Sequence, residues 1–340
     1  MKYKTLWSIL AGVIIVSFAV LLYLGNEIYN VAPPIPSRII TNEGKSVITG
    51  DEIKDGMNVW QSTGGQQLGS VWGHGAYVAP DWSADWLHRE AIFLLNSFAQ
   101  ERYNRNYDEL SEENQALLRA LLQKELRTNT YNEEKDEIVI SEKRAVAFEE
   151  ISKHYSGLFT DDPELDELRE AYAMPENSIK DPQRLKPLNA FFFWTSWAAV
   201  TNRPGDDITY TNNWPHEKLV ANEPTGSLIL WTGFSVILLL AGIGLLASYY
   251  ASRREPDDSE SYPEKDPLLG LTPTPSMKAT LKYFWVVMGL ILLQVVMGIV
   301  TAHYGVEGNA FYGFPLADIF PYSITRTWHI QLALFWIATS

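Results

Sequence analysis

Residues 228–251 read LILWTGFSVILLLAGIGLLASYYA, an uncharged apolar run followed at once by Arg253 and Arg254. A helix needs about 20 such residues to cross about 30 Å of hydrocarbon, so this stretch is a membrane span. Moving outward, residues 283–302 (YFWVVMGLILLQVVMGIVTA) form a second such run, preceded by Lys278 and Lys282. Near the other end, residues 6–25 (LWSILAGVIIVSFAVLLYLG) form a third, with Lys2 and Lys4 before it. This run outlasts the apolar core of a secretory signal, about 7–15 residues, and closes on Tyr23-Leu24-Gly25 rather than a small-residue cleavage site. It reads as an uncleaved anchor. A fourth apolar run begins near Thr327 and continues to Ser340. Fourteen residues of helix cover only about 21 Å, and the run has no Gly, Asn or basic stop. It reads as a span cut in mid-helix, and the chain as a fragment of a larger polytopic protein.

Basic residues orient these spans. Lys2 and Lys4 place the N-terminus in the cytoplasm. The 252–282 loop, with Arg253, Arg254, Lys265, Lys278 and Lys282, lies on the same side, and 303–326, with only Arg326, lies outside. The expected organisation is a transmembrane anchor at 1–25, an extracytoplasmic domain at 26–225, and the start of a helical bundle at 226–340. The whole is a multi-pass protein of the cell membrane.

Composition agrees with that division. The 340 residues carry 27 Lys/Arg and 41 Asp/Glu, a net charge of −14. Residues 26–225 hold 19 of the former and 33 of the latter, so the external domain carries the entire excess. An acidic chain without a basic cluster is no nucleic-acid binder, and the acidic surface reads as solvation. The absence of cysteine removes disulfides, thiol catalysis, zinc fingers and covalent CxxCH haem.

Within the external domain, apolar spacing predicts helices over 86–104, 112–127 (with Ser111 as N-cap), 141–157, 163–173 and 188–201. Asp136–Ile140 is the single strand signal. Pro33, Pro34 and Pro36 form a stiff linker after the anchor. Residues 51–90, rich in Gly and Trp, read as a long loop anchored by aromatic side chains.

The six histidines are His74, His88, His154, His216, His303 and His329, and no two lie within five residues. His329 sits in Arg326-Thr327-Trp328-His329, just inside the outer end of the fourth span. An ionisable residue there is a functional candidate: it serves either as a haem-iron ligand, with Arg326 near a propionate, or as a partner for a neighbouring helix. His303 and Glu307, spaced i, i+4 where the third span leaves the membrane, suit quinol oxidation, which releases two protons with its electrons. Interfacial snorkelling is the competing reading. Gln294 reads as helix–helix glue.

Three blocks carry a family resemblance: VWQSTGGQQLGSVWGHGAYVAPDWSADWLHRE at 59–90, FFFWTSWAAVTNRPGDDITYTNNWP at 191–215, and AHYGVEG at 302–308 with TRTWHIQLALFW at 325–336. The chain resembles the N-terminal part of a quinol-dependent nitric oxide reductase of the haem-copper oxidase superfamily. The resemblance implies a mainly α fold, with polytopic membrane helices and an extracytoplasmic cytochrome-c-like domain lacking covalent haem. Gly65-Gln66-Gln67-Leu68-Gly69 then falls where CxxCH would lie.

The same resemblance implies that His329 is an axial ligand of low-spin haem b, that Arg326 meets a propionate, and that His303 and Glu307 bind quinol. It places Gly75 and Tyr77 near a structural calcium. It implies reduction of 2 NO to N2O and water at a high-spin haem b beside a non-haem iron. No haem c is expected. The catalytic residues of the family lie beyond residue 340, so this chain alone is expected to be inactive. The partners implied are quinol, nitric oxide and membrane lipid, and the arrangement is compatible with a homodimer. The alternative is a non-catalytic membrane-anchored module that docks to a partner holding the catalytic helices.

Overall fold

The structure is a computed structural model that describes residues 3–76, 79–253, 264–266, 268–307, 314 and 316–340. The chain is mainly helical and divides into two compact units, Met1–Met57 with Gln66–Pro224, and Asn58–Gly65 with Thr225–Ser340.

The first unit begins with α1 (Tyr3–Asn30), an apolar helix whose described side chains are exposed. β1 (Arg38–Thr41) and β2 (Ser46–Thr49) follow as an antiparallel pair. Thr49 then opens α2 (Gly50–Ser62) as a reciprocal capping box: Glu52 N donates to Thr49 Oγ1 at 3.2 Å and Thr49 N donates to Glu52 Oε2 at 2.8 Å. This corrects the loop expected over residues 51–90. The loop proper spans 63–81 and contains a small hairpin, β3 (Ser70–Val71) with β4 (His74–Gly75).

Asp81 caps α3 (Trp82–Tyr103), accepting from Ala84 N at 3.0 Å. α4 (Glu112–Arg127) follows with Ser111 at its cap position, but the Ser111 side chain makes no capping bond. β5 (Tyr131–Asn132) and β6 (Glu137–Ile140) complete a four-stranded sheet of order β2-β1-β6-β5, in which β1 and β6 are parallel. α5 (Glu142–Phe159), α6 (Asp166–Ala171) and α7 (Leu185–Val200) close the unit.

The core lies where α3 meets α5 and α7. Trp82 stacks on Phe192 with ring centroids 5.3 Å apart, and Trp86 stacks on Tyr155 at 5.2 Å. All four rings are fully buried. Within this apolar interior Glu90 and Arg144, also buried, form an ion pair at 2.7 Å, and the Arg144 guanidinium lies over the Phe193 ring. Gly56 lets α2 approach α7: a Cβ there would stand 1.9 Å from the Pro187 carbonyl oxygen.

The second unit holds α8 (Gly226–Arg253), α9 (Pro275–Glu307), the short α10 (Leu316–Ile319) and α11 (Tyr322–Thr339). Among the described residues, three helices, α1, α8 and the Pro275–Tyr304 stretch of α9, are long and apolar enough to cross a membrane. α11 packs along α9 and begins at Tyr322, five residues before the apolar run read from sequence.

Candidate functional site

The membrane-helix site is built on the α9–α11 pair. His329 of α11 rests on Gly298 of α9, where a Cβ would stand 2.7 Å from His329 Cε1 and 2.8 Å from Nδ1. The missing side chain lets the imidazole reach the main chain of α9, and Nδ1 lies 2.9 Å from the Gln294 carbonyl oxygen. A carbonyl only accepts, so Nδ1 carries the proton and Nε2 keeps its lone pair. That is the tautomer a metal-binding histidine needs, with its second nitrogen oriented by a main-chain acceptor. The Gln294 side chain accepts from Trp336 Nε1 at 2.6 Å. One residue of α9 thus receives two α11 side chains seven positions apart, and its expected role as interhelical glue is realised.

α9 runs through Gly305 to Glu307, so His303 and Glu307 occupy successive turns of one helix. The Glu307 side chain lies outside the described residues. Tyr304, between them, is buried and donates its hydroxyl to the Phe320 carbonyl, with its ring edge-on to Tyr322 at 5.7 Å. Arg326 is one turn before His329 on α11. Sequence reasoning found His329 but not Gly298, whose role depends on a neighbour brought in by tertiary packing.

In the first unit, the hairpin is organised by Asp81, whose carboxylate accepts from Gly73 N at 2.7 Å, from Ser70 Oγ at 2.8 Å and from Ser83 Oγ. Ala76 N donates back to Gln66 and Gly69 oxygens, which folds residues 66–69 against β4. Gly75 has φ of +152° and a Cβ there would lie 2.2 Å from the Gly69 oxygen, so only glycine fits. Tyr77 lies outside the described residues. Among the described residues, no group of three or more His, Cys, Asp or Glu side chains is placed to hold a metal.

The interior beside this hairpin is filled by aromatic rings. Tyr155 donates to Asp85 Oδ2 at 2.6 Å, and burial, reinforced by Asp85, pushes its phenol well above the usual range. His88 pairs with Glu217 at 2.8 Å, and burial, with Arg89 nearby, lowers the His154 imidazole. Tyr155 and His154 lie on α5, against α3, whereas His88 ties α3 to the segment that carries Glu217.

Residues 36–216, more than half of the chain, match the family of the NorB cytochrome c-like domain of nitric oxide reductase. No curated protein matches the chain.

Proposed function

Because this chain belongs to the NorB family of nitric oxide reductases, we propose that it forms the quinol-oxidising, N-terminal part of a membrane nitric oxide reductase. The complete reaction converts 2 NO, two electrons and two protons to N2O and water. Quinol oxidation supplies both electrons and releases two protons.

The observation that carries this reading is the setting of His329. The donation of Nδ1–H to Gln294 leaves Nε2 with the lone pair that would hold a haem iron, and Gly298 provides the clearance that lets the ring sit there. Haem b, when bound, would supply a one-electron relay, and Arg326, one helical turn before His329, would pair with a propionate. His303 and Glu307, at the end of α9, take the two quinol hydroxyls as hydrogen-bond partners and accept their protons.

The proposed topology has the N-terminus in the cytoplasm, a 1–25 anchor, an external domain at 26–225 and bundle helices from 226 onward. Electrons enter from the membrane rather than through the external domain, because a chain with no cysteine forms no thioether bond to haem. A calcium ion requires six to eight oxygens. Gly75 and Tyr77 would lie beside such an ion, with main-chain carbonyl oxygens among its ligands.

The test is His329→Ala in the reductase that contains this chain. Low-spin haem b absorbance and its paramagnetic resonance signal should vanish while the protein still inserts. An unchanged haem spectrum refutes the ligand assignment. Glu307→Gln should slow quinol-driven turnover by about 10²-fold or more, the usual worth of a positioned acid or base, and spare turnover with an artificial electron donor. Equal loss with both donors refutes the quinol role.

A further inference from the structure

Two arginines hold the loop that follows α7, and they are used differently. Arg127 commits both terminal nitrogens to it. Nη2 donates to the Asp207 oxygen at 2.8 Å and to Asn213 Oδ1 at 3.3 Å, and Nη1 donates to Asn222 Oδ1 at 3.2 Å and to the Ala221 oxygen at 3.3 Å. Arg203 donates through Nη2 alone, to Asn212 Oδ1 at 2.8 Å and to the Tyr210 oxygen at 3.3 Å. Its Nε is buried without a partner. Among the described residues no carboxylate pairs with it, in a domain where acidic groups outnumber basic ones 33 to 19.

Arg203 lines a cavity of about 670 Å³ together with His74, Trp72, Tyr210 and, from the last turn of α1, Glu27 and Ile28. Val31, Ala32 and Pro33, which follow directly, complete its apolar side. The apolar run of α1 ends at Gly25, so Glu27 and Ile28 stand at the level where hydrocarbon gives way to headgroups. The cavity therefore joins an apolar wall from the anchor, two aromatic rings of the kind that settle at membrane interfaces, and a guanidinium with donors to spare.

We propose that this cavity binds the phosphate of a phospholipid headgroup, with Arg203 donating to the phosphate oxygens, His74 beside it, and the glycerol and first methylenes lying along Ile28 and Val31. Arginine suits this ligand because its planar donors match phosphate oxygens. Glu27, the one carboxylate lining the cavity, opposes an anionic ligand. The proposal rests on α1 being a membrane span, which separates from it experimentally: recovery of the chain in the soluble fraction overturns the anchor itself.

The experiment is native mass spectrometry of the full 340-residue chain, delipidated in detergent and titrated with dioctanoyl-phosphatidylglycerol, dioctanoylglycerol or inorganic phosphate. One phosphatidylglycerol should be retained per chain. Arg203→Gln should weaken retention about tenfold, the loss of one charge-assisted contact. Glu27→Gln, at an exposed helix end where it cannot unfold the domain, should strengthen it. Dioctanoylglycerol should not bind, and inorganic phosphate should not displace the lipid at equal concentration. Retention unchanged by both variants overturns the site. Equal retention of dioctanoylglycerol overturns the phosphate contact, and displacement by inorganic phosphate overturns the lipid as its source.

Discussion

α7 and α8 are both apolar along nearly their whole length, yet every residue of α7 from Pro187 to Val200 is buried and none of α8 is. The difference lies in length and side chains. α7 has 16 residues, too few to cross a bilayer, and carries Asn189, Thr195 and Ser196 among its aromatics. Asn189 Nδ2 donates across to α5, to the Ser152 carbonyl at 3.3 Å and to Ser156 Oγ at 3.2 Å, while Thr195 returns its hydroxyl to Phe192 of its own helix. α8 has 28 residues, and its Thr232 and Ser235 return their hydroxyls to their own helix at 2.8 Å. A helix that satisfies its polar groups internally is suited to lipid, whereas one that satisfies them across to neighbours is suited to a protein interior.

The sharpest way to break this contrast is to remove one indole from each environment. Trp82→Ala opens a void against Phe192 and should cost about 3–5 kcal/mol, a large share of the stability of a typical domain. Trp231→Ala on the exposed face of α8 should leave the denaturation midpoint of the chain in detergent unchanged to within about 0.5 kcal/mol. Equal losses at the two positions would show that α8 is packed in protein and not in lipid.

Helix starts extend the comparison at smaller amplitude. Asp81→Ala removes the cap of α3 together with the hairpin contacts to Ser70 and Gly73, and should cost about 2 kcal/mol, the top of the capping range. Thr225 accepts from Leu228 N at 3.3 Å at the exposed start of α8, and Thr225→Ala should cost only a few tenths of a kcal/mol. Guanidinium titrations of both variants read the difference, and a Thr225 loss as large as that of Asp81 would remove the distinction.

The smallest effect depends on pH and belongs to the first unit alone. Burial, with help from Arg89 and against Asp85 and Asp162, holds the His154 imidazole below its ordinary value of about 6.5. Below that pH the unfolded chain binds the proton more readily than the folded one, so stability falls on acidification and is flat above it. His154→Gln should lessen that decline. Midpoints measured between pH 7.5 and 5.5 that fall equally with and without the imidazole would assign the decline to other groups.

Periodicity made α3, α4, α5, α7 and the long apolar helices legible in the sequence, because each announces itself within one stretch of chain. α2 was hidden by its glycines, although Thr49-Gly50-Asp51-Glu52 is a capping box that marks its start. β1 and β2 are four residues each and exist through pairing, with β1 meeting β6 about a hundred positions later. No local pattern carries that information. His329 was legible by its cost in an apolar run. Gly298 and the Gln294 carbonyl, which orient it, lie on another helix and become visible only once α9 and α11 are packed.

The parallel pairing of Arg38 with Glu137 and of Thr41 with Ile140 sets a timetable for synthesis. A ribosome adding about 5–20 residues per second delivers β6 some 5–20 s after β1. Throughout that interval β1 has β2 on one side and an open edge on the other. The sheet is therefore completed around a strand that must wait, and the wait is longest for the part of the chain made first.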